Sequence, residues 1–186
     1  MSSNAEFEEM AVPLFEPLYN FACWLARDRA EAEDLVQESY TKALKGFGSF
    51  QRGTNFKAWI FQILRNTFLT SKTGLASKLT VPLEQEEDGP SYEPVEMATP
   101  ETILLANSSK EAVQQAIEQL PLAYREVLLL ADLEEFKYAE IAEALRLPIG
   151  TVMSRLSRAR AAVRASLSKS EQNVGTRRVK EADRGL

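Results

Sequence analysis

The sequence predicts an all-α protein: two small helical domains joined by a flexible acidic linker, the second domain containing a helix-turn-helix. Three observations predict it. Apolar residues recur at spacings of three and four through both ends of the chain, the pattern of amphipathic helices, and no stretch reads as a strand of note. Between them, residues 74–107 lose that rhythm and carry Pro82, Pro90, Pro94 and Pro100 among acids, a composition that suits an extended tether. Finally, "AEIAEALRLPIGTVMSRL" places a short apolar stripe, a turn and a longer apolar stripe in direct succession.

The elements follow in order. Phe7, Met10, Leu14, Leu18, Phe21 and Leu25 fall at helical spacing over 6–26, interrupted early by Pro13 and Pro17. Asp28 and Glu31 form a capping-box start for a helix over about 29–45. Its buried face is expected to be Ala32, Leu35, Val36, Ala43 and Leu44, its outer face Asp34, Gln37, Glu38, Thr41 and Lys45. "GFGSFQRGTNF" ends it with glycines, which favour turns over helix. A third helix over about 55–72 should bury Phe56, Trp59, Ile60, Ile63 and Leu64 and turn Gln62, Arg65 and Lys72 outward. After the linker, Ser108 and Glu111 make another capping box. Helices over about 108–119 and 122–131 are divided at Leu120 and Pro121. The domains are therefore expected at 1–73 and 108–170, with 74–107 as linker and 171–186 as a disordered basic tail.

Composition narrows the chemistry. The chain of 186 residues has 45% hydrophobic residues, enough for a core, and no apolar run near the roughly 20 residues of a membrane helix. Its acidic start lacks a secretory pattern, so a cytoplasmic protein without membrane insertion is expected. There is no histidine, which removes the usual zinc and haem ligand sets and any Ser-His-Asp triad. Cys23 is the single cysteine. No glycine-rich phosphate loop is present. These absences argue against an enzyme, a catalytic residue, a metal or a cofactor.

The net charge of −5 conceals blocks. From Ser39 to Leu83 there is no acid, while Lys42, Lys45, Arg52, Lys57, Arg65, Lys72 and Lys78 are basic. Seven acids from Glu84 to Glu101 follow without a base, and ten bases lie beyond Ala144. Two basic zones around an acidic one point to two contacts with a polyanion, although solvated surface charge reads the same way for either zone alone.

The helix-turn-helix supplies the second contact. Ile141, Ala142, Leu145, Leu147, Val152 and Leu156 fit the spacing that locks two crossing helices, with small Ala142 at the crossing. The second helix of such a motif offers its N-terminal residues to the major groove. Thr151, Ser154, Arg155 and Arg158 are expected to face base edges or nearby phosphates, and Arg160 and Arg164 to suit phosphates or solvent. The turn position often held by glycine is Arg146, where a left-handed backbone would cost roughly 1 kcal/mol, so another turn shape is expected.

"AEAEDLVQESYTKAL" and "GFGSFQRGTNFKAWIFQILRNTF", followed by "LPLAYREVLLLADLEEFKYAEIAEALRLPIGTVMSRLSRAR", resemble bacterial RNA polymerase sigma factors of the extracytoplasmic-function type. Within that family, "GTNFKAWIFQILRNTF" and "PIGTVMSRL" look most like the group that responds to thiol oxidation. The resemblance implies that the "EDLVQE" helix docks on the coiled coil of the largest core RNA polymerase subunit through Asp34, Gln37, Glu38 and Thr41. It also implies a contact of the second domain with the polymerase flap. The glycine-rich loop and the helix after it would take the promoter −10 element as single-stranded DNA. Phe47, Phe50, Gln51, Arg52, Asn55, Gln62 and Arg65 supply the residue types for stacking and edge hydrogen bonds, although some of those aromatics could equally be core. The C-terminal helix would read the −35 element as duplex. A cognate anti-sigma factor, zinc-binding in the thiol group, is an expected partner. The alternative is an autonomous helix-turn-helix repressor whose N-terminal domain senses a ligand or dimerises.

Overall fold

The computed structural model describes residues 3–73 and 110–182, with side chains within 4–72 and 110–169. The expected linker and the capping box at Ser108 therefore lie outside the described residues. Every regular element among those described is helical. By packing they fall into two units, 3–73 with 129–152 and 110–128 with 153–182.

The first unit begins with α1 (Ser3–Ala11), a 3-10 turn (Val12–Leu14) and α2 (Phe15–Ala26). The sequence reads these as one interrupted helix, and Pro13 in the 3-10 turn is the interruption. Pro17 sits in the first turn of α2, where its missing N–H would have had no helical partner. Arg27 closes α2 in the left-handed conformation, with its N–H donating to the Cys23 carbonyl at 3.0 Å. Asp28 then caps α3 (Arg29–Gly46), its carboxylate accepting from Glu31 N–H at 2.8 Å. A second 3-10 turn (Phe47–Ser49) and a loop lead to α4 (Phe56–Thr73). Asn55 caps α4, its side-chain oxygen accepting from Ala58 N–H at 3.0 Å.

Helices α2, α3 and α4 pack on one another. Leu18, Phe21, Ala22 and Leu25 of α2 meet Ala32, Leu35, Val36 and Ala43 of α3 and Ile60, Phe61, Leu64 and Phe68 of α4, all buried. Each large side chain there contributes roughly 1.5–3 kcal/mol by leaving water. Ser39, fully buried in the same ridge, donates its hydroxyl to the Leu35 carbonyl and so carries no unpaired group inward. Two expectations need correction. Leu44 is 44% exposed rather than buried, because the buried ridge of α3 runs through Ser39 and Ala43 and leaves Leu44 beside Thr41. Trp59 and Ile63 are half-buried, and Phe61 takes the inward place on α4.

Beyond residue 109 come α5 (Lys110–Glu118), α6 (Leu122–Asp132), α7 (Tyr138–Leu145) and α8 (Ile149–Ala182). Helix α8 extends through residues 171–182, where the sequence reading placed a disordered tail. In the second unit, Ala116, Ile117, Leu120, Val127, Leu128, Leu156, Ala159, Val163 and Leu167 are buried. Arg125 is buried with them and donates to the carbonyls of Glu118 and Leu120 at 2.9 and 2.8 Å, satisfying the open end of α5. The link between α7 and α8 departs from the expected shape: Arg146 does adopt the left-handed backbone, at φ 53° and ψ 48°.

Candidate nucleic-acid interface

On α3, Asp34, Gln37, Glu38 and Thr41 are all exposed and share one stripe, since spacings of three and four bring helix residues to the same side. The Thr41 hydroxyl donates to the Gln37 carbonyl at 2.9 Å, and Glu38 pairs with Lys42 at 2.7 Å. Leu44 continues the stripe as an exposed apolar end. The result is an acidic and polar ridge fit for a basic helical partner.

The loop between α3 and α4 divides into anchors and a tip. Phe47, Phe50 and Phe56 are buried. Phe47 and Phe50 stack at 6.0 Å, Phe56 meets each edge-on at 6.0 and 5.3 Å, and Phe7 and Trp59 close the cluster. The expectation that Phe47 and Phe50 offer stacking faces to bases is thus corrected. An aromatic side chain next to glycines serves a core as well as a base, and here the core takes it. The tip, Gln51 to Thr54, is exposed, and Gly53 turns it at φ 89°, which a residue with a Cβ rarely adopts. Arg52 reaches back to α1, its Nε donating to Glu6 at 2.8 Å, an exposed pair of small worth.

The remaining candidates are Asn55, which caps α4, and Gln62 and Arg65 on α4; the first two meet a single stretch of chain. The Asn55 amide donates to Glu140 Oε1 at 3.1 Å. Gln62 Oε1 lies 3.4 Å from the Arg146 guanidinium, at the long end of hydrogen bonding. Arg65 is half-buried. Lys57, which the sequence reading counted only within a basic block, donates its Nζ to the Glu134 carbonyl at 2.9 Å and lies 4.1 Å from the centre of the Phe136 ring. Its signal in the sequence was its place one turn before Phe61 in an acid-free helix.

The helix-turn-helix is closed by backbone bonds. Leu147 N–H donates to the Ala142 carbonyl at 3.0 Å and Arg146 N–H to Glu143 at 3.3 Å, the paired pattern of a Schellman end. Ala142, half-buried, therefore contributes its carbonyl more than a close crossing. Pro148 then opens α8, with its carbonyl accepting from Thr151 and Val152. Along α8, Val152, Leu156, Ala159 and Val163 are buried as the periodicity requires. Ser154 is exposed, while Thr151, Arg155, Arg158, Arg160 and Arg164 are half-buried. The Nε of Arg155 is shielded and has no hydrogen-bond partner, so the stem of this side chain is committed to packing. Met153, which the sequence reading did not select, is 54% exposed beside Ser154.

Among the described residues, no group of histidine, cysteine, aspartate or glutamate could hold a metal ion, and no helix is long and apolar enough to cross a membrane. Comparison with known proteins matches residues 14–76 to the family model for sigma-70 region 2 and residues 110–163 to that for sigma-70 region 4. The RNA polymerase sigma-H factor of Pseudomonas aeruginosa is 33% identical over 147 residues, 75% of this chain and 75% of the relative. The ECF RNA polymerase sigma factor EcfG of Rhodopseudomonas palustris is 33% identical, over 79% of this chain and 77% of its own. Among solved structures, the sigma factor RpoE in complex with the anti-sigma factor NepR from Bartonella quintana superposes with a TM-score of 0.66 at 30% identity, covering 88% of this chain and 97% of that one.

Proposed function

Because the chain belongs to the extracytoplasmic-function group of sigma-70 RNA polymerase sigma factors, we propose that it binds core RNA polymerase and directs transcription from promoters it selects itself. The observation that carries this reading is the presence of both sigma-70 regions, in order, in one chain. Residues 1–73 dock on polymerase through the α3 stripe and receive the −10 strand at the loop tip and α4. Residues 108–170 read the −35 duplex with the start of α8, and 74–107 join the two. The arginines of α8 suit phosphates and guanine edges, and exposed Ser154 and Met153 suit the groove floor. The RpoE of the solved complex is bound by an anti-sigma factor, and on this reading the present chain is held by one of its own until a stress signal releases it.

The test is promoter opening, read by permanganate reactivity of unpaired thymines, with purified chain, core polymerase and the DNA upstream of its own operon. Thymines should become reactive only when both proteins are present. The double variant Asp34→Lys and Glu38→Lys should abolish opening by preventing assembly with polymerase while leaving the helical circular dichroism unchanged. Tight duplex binding by the chain alone, without opening, would establish the repressor instead.

A further inference from the structure

The tip of the loop before α4 is tied to α1 by an ion pair that the fold scarcely needs. Arg52 donates to both carboxylate oxygens of Glu6, from Nε at 2.8 Å and from Nη2 at 2.5 Å. A two-pronged pair of this kind fixes the plane of the guanidinium as well as its place. Yet the arginine side chain is 70% exposed and the glutamate 33%, so water screens the pair and it adds little to stability. Both partners stand on rigid neighbours. Phe7, next to Glu6, packs edge-on against Phe47 and Phe56, with ring centres 5.3 and 6.1 Å apart. Arg52 sits in a turn closed by Thr54 N–H donating to the Gln51 carbonyl at 3.2 Å, with Gly53 at φ 89°. A long side chain that would otherwise sample many rotamers is therefore held in one, its charge offset and the Nη1 edge of its fork left outside the pair.

That combination suits one kind of ligand and not another. A phosphate is drawn by charge, which Glu6 cancels and opposes with its own. A base edge with two adjacent acceptors needs only an oriented donor fork, and arginine meets guanine in that way through O6 and N7. We propose that Arg52 reads a guanine edge in the unpaired −10 strand, and that Glu6 is its positioning residue, holding the fork in place and suppressing its use as a phosphate contact. The proposal rests on the sigma-factor reading, which brings a single strand to this tip. It gives α1 a part in promoter selection, although Glu6 lies ahead of the residues matched to sigma-70 region 2, 14–76.

The experiment uses holoenzyme assembled from the full chain and core polymerase. Anisotropy over a series of potassium chloride concentrations measures its binding of a fluorescein-labelled single strand, the non-template segment that permanganate maps as melted. A second strand carries 7-deazaguanine for guanine and so lacks N7. The wild type should prefer the first strand about fivefold, and Arg52→Ala should bind it about tenfold more weakly and show no preference. That loss should be the same factor at every salt concentration, because no phosphate contact is removed. Glu6→Gln should release the charge of Arg52: the preference shrinks, and the slope of log affinity against log salt steepens by about 0.7, one added phosphate contact. Glu6→Asp, which keeps the charge, should retain the wild-type slope. The double variant Glu6→Gln with Arg52→Ala should return to that slope, since the added contact is Arg52 itself. A pair that only supports the fold would weaken both strands alike with the slope unchanged, and that result overturns the proposal. So does a melted segment without guanine, or a slope that becomes shallower in Arg52→Ala. Absence of polymerase-dependent opening by the wild type would overturn the sigma-factor reading and this proposal with it, whereas opening without the preference overturns the proposal alone.

Discussion

Glu134 shows how one residue senses its surroundings. Its carboxyl is half-buried, and burial pushes its pKa up to about 6; Lys57 pulls the value down and Glu16 adds to the rise. A raised carboxyl binds its proton more tightly in the folded chain than in the unfolded one, so its charged form works against folding. That penalty is absent below the unfolded value, grows as pH climbs towards about 6, and is complete above it. Glu134→Gln should therefore match the wild type in urea titrations near pH 4 and exceed it slightly at pH 8, by roughly 0.5 kcal/mol or less. A constant difference across that range would mean the carboxylate is fully hydrated. The same scale explains what single residues hide. Phe47 and Phe50 are the residue types that stack on bases, and nothing in their spacing says whether a base or a neighbouring ring receives them. Their burial decides it. The exposed stripe Asp34, Gln37, Glu38 and Thr41 was legible in advance because helix geometry alone sets which residues share a side.

At the scale of elements, helix ends were legible where a short polar side chain announces them. Asp28 and Asn55 cap α3 and α4 within a residue of the expected starts. The turn after α7 was not, because propensity argues against an arginine in a left-handed position while the closing bonds to Ala142 and Glu143 require one. Arg146→Gly should relieve that backbone and raise stability by roughly 1 kcal/mol. Thermal melting should shift upward by about 2–8 °C, since each kcal/mol moves a small domain by that order. A fall in the melting temperature would show that the long contact from Arg146 to Gln62 outweighs the strain.

For the whole molecule, the packing units differ from the sequence boundaries at 129–152, which belong with the N-terminal helices. No local pattern could reveal this, because Lys57 and Glu134 are 77 positions apart and each is unremarkable among its own neighbours. A chain ended at Thr73 should keep its helical fold, since α2, α3 and α4 retain their mutual core. It should melt roughly 5 °C or more below the transition of α4 in the full chain, having lost Phe136 from Phe61. Hydrogen exchange across α4 in both chains provides the comparison, and equal protection would mean the 129–152 contacts add nothing to stability.

The anchored loop before α4 has a consequence for how such a protein diversifies. Its aromatic residues are bolted into the core, while Gln51, Arg52 and Thr54 are exposed and tied down by a surface ion pair from Arg52 to Glu6 and by the tip's own turn bonds. Drift at those three positions costs the fold little, so under the proposed −10 role of this tip promoter preference can be rewritten by selection, or by a library, without first finding a compensating mutation in the core. Gly53 alone is held back, by its backbone rather than by what it touches.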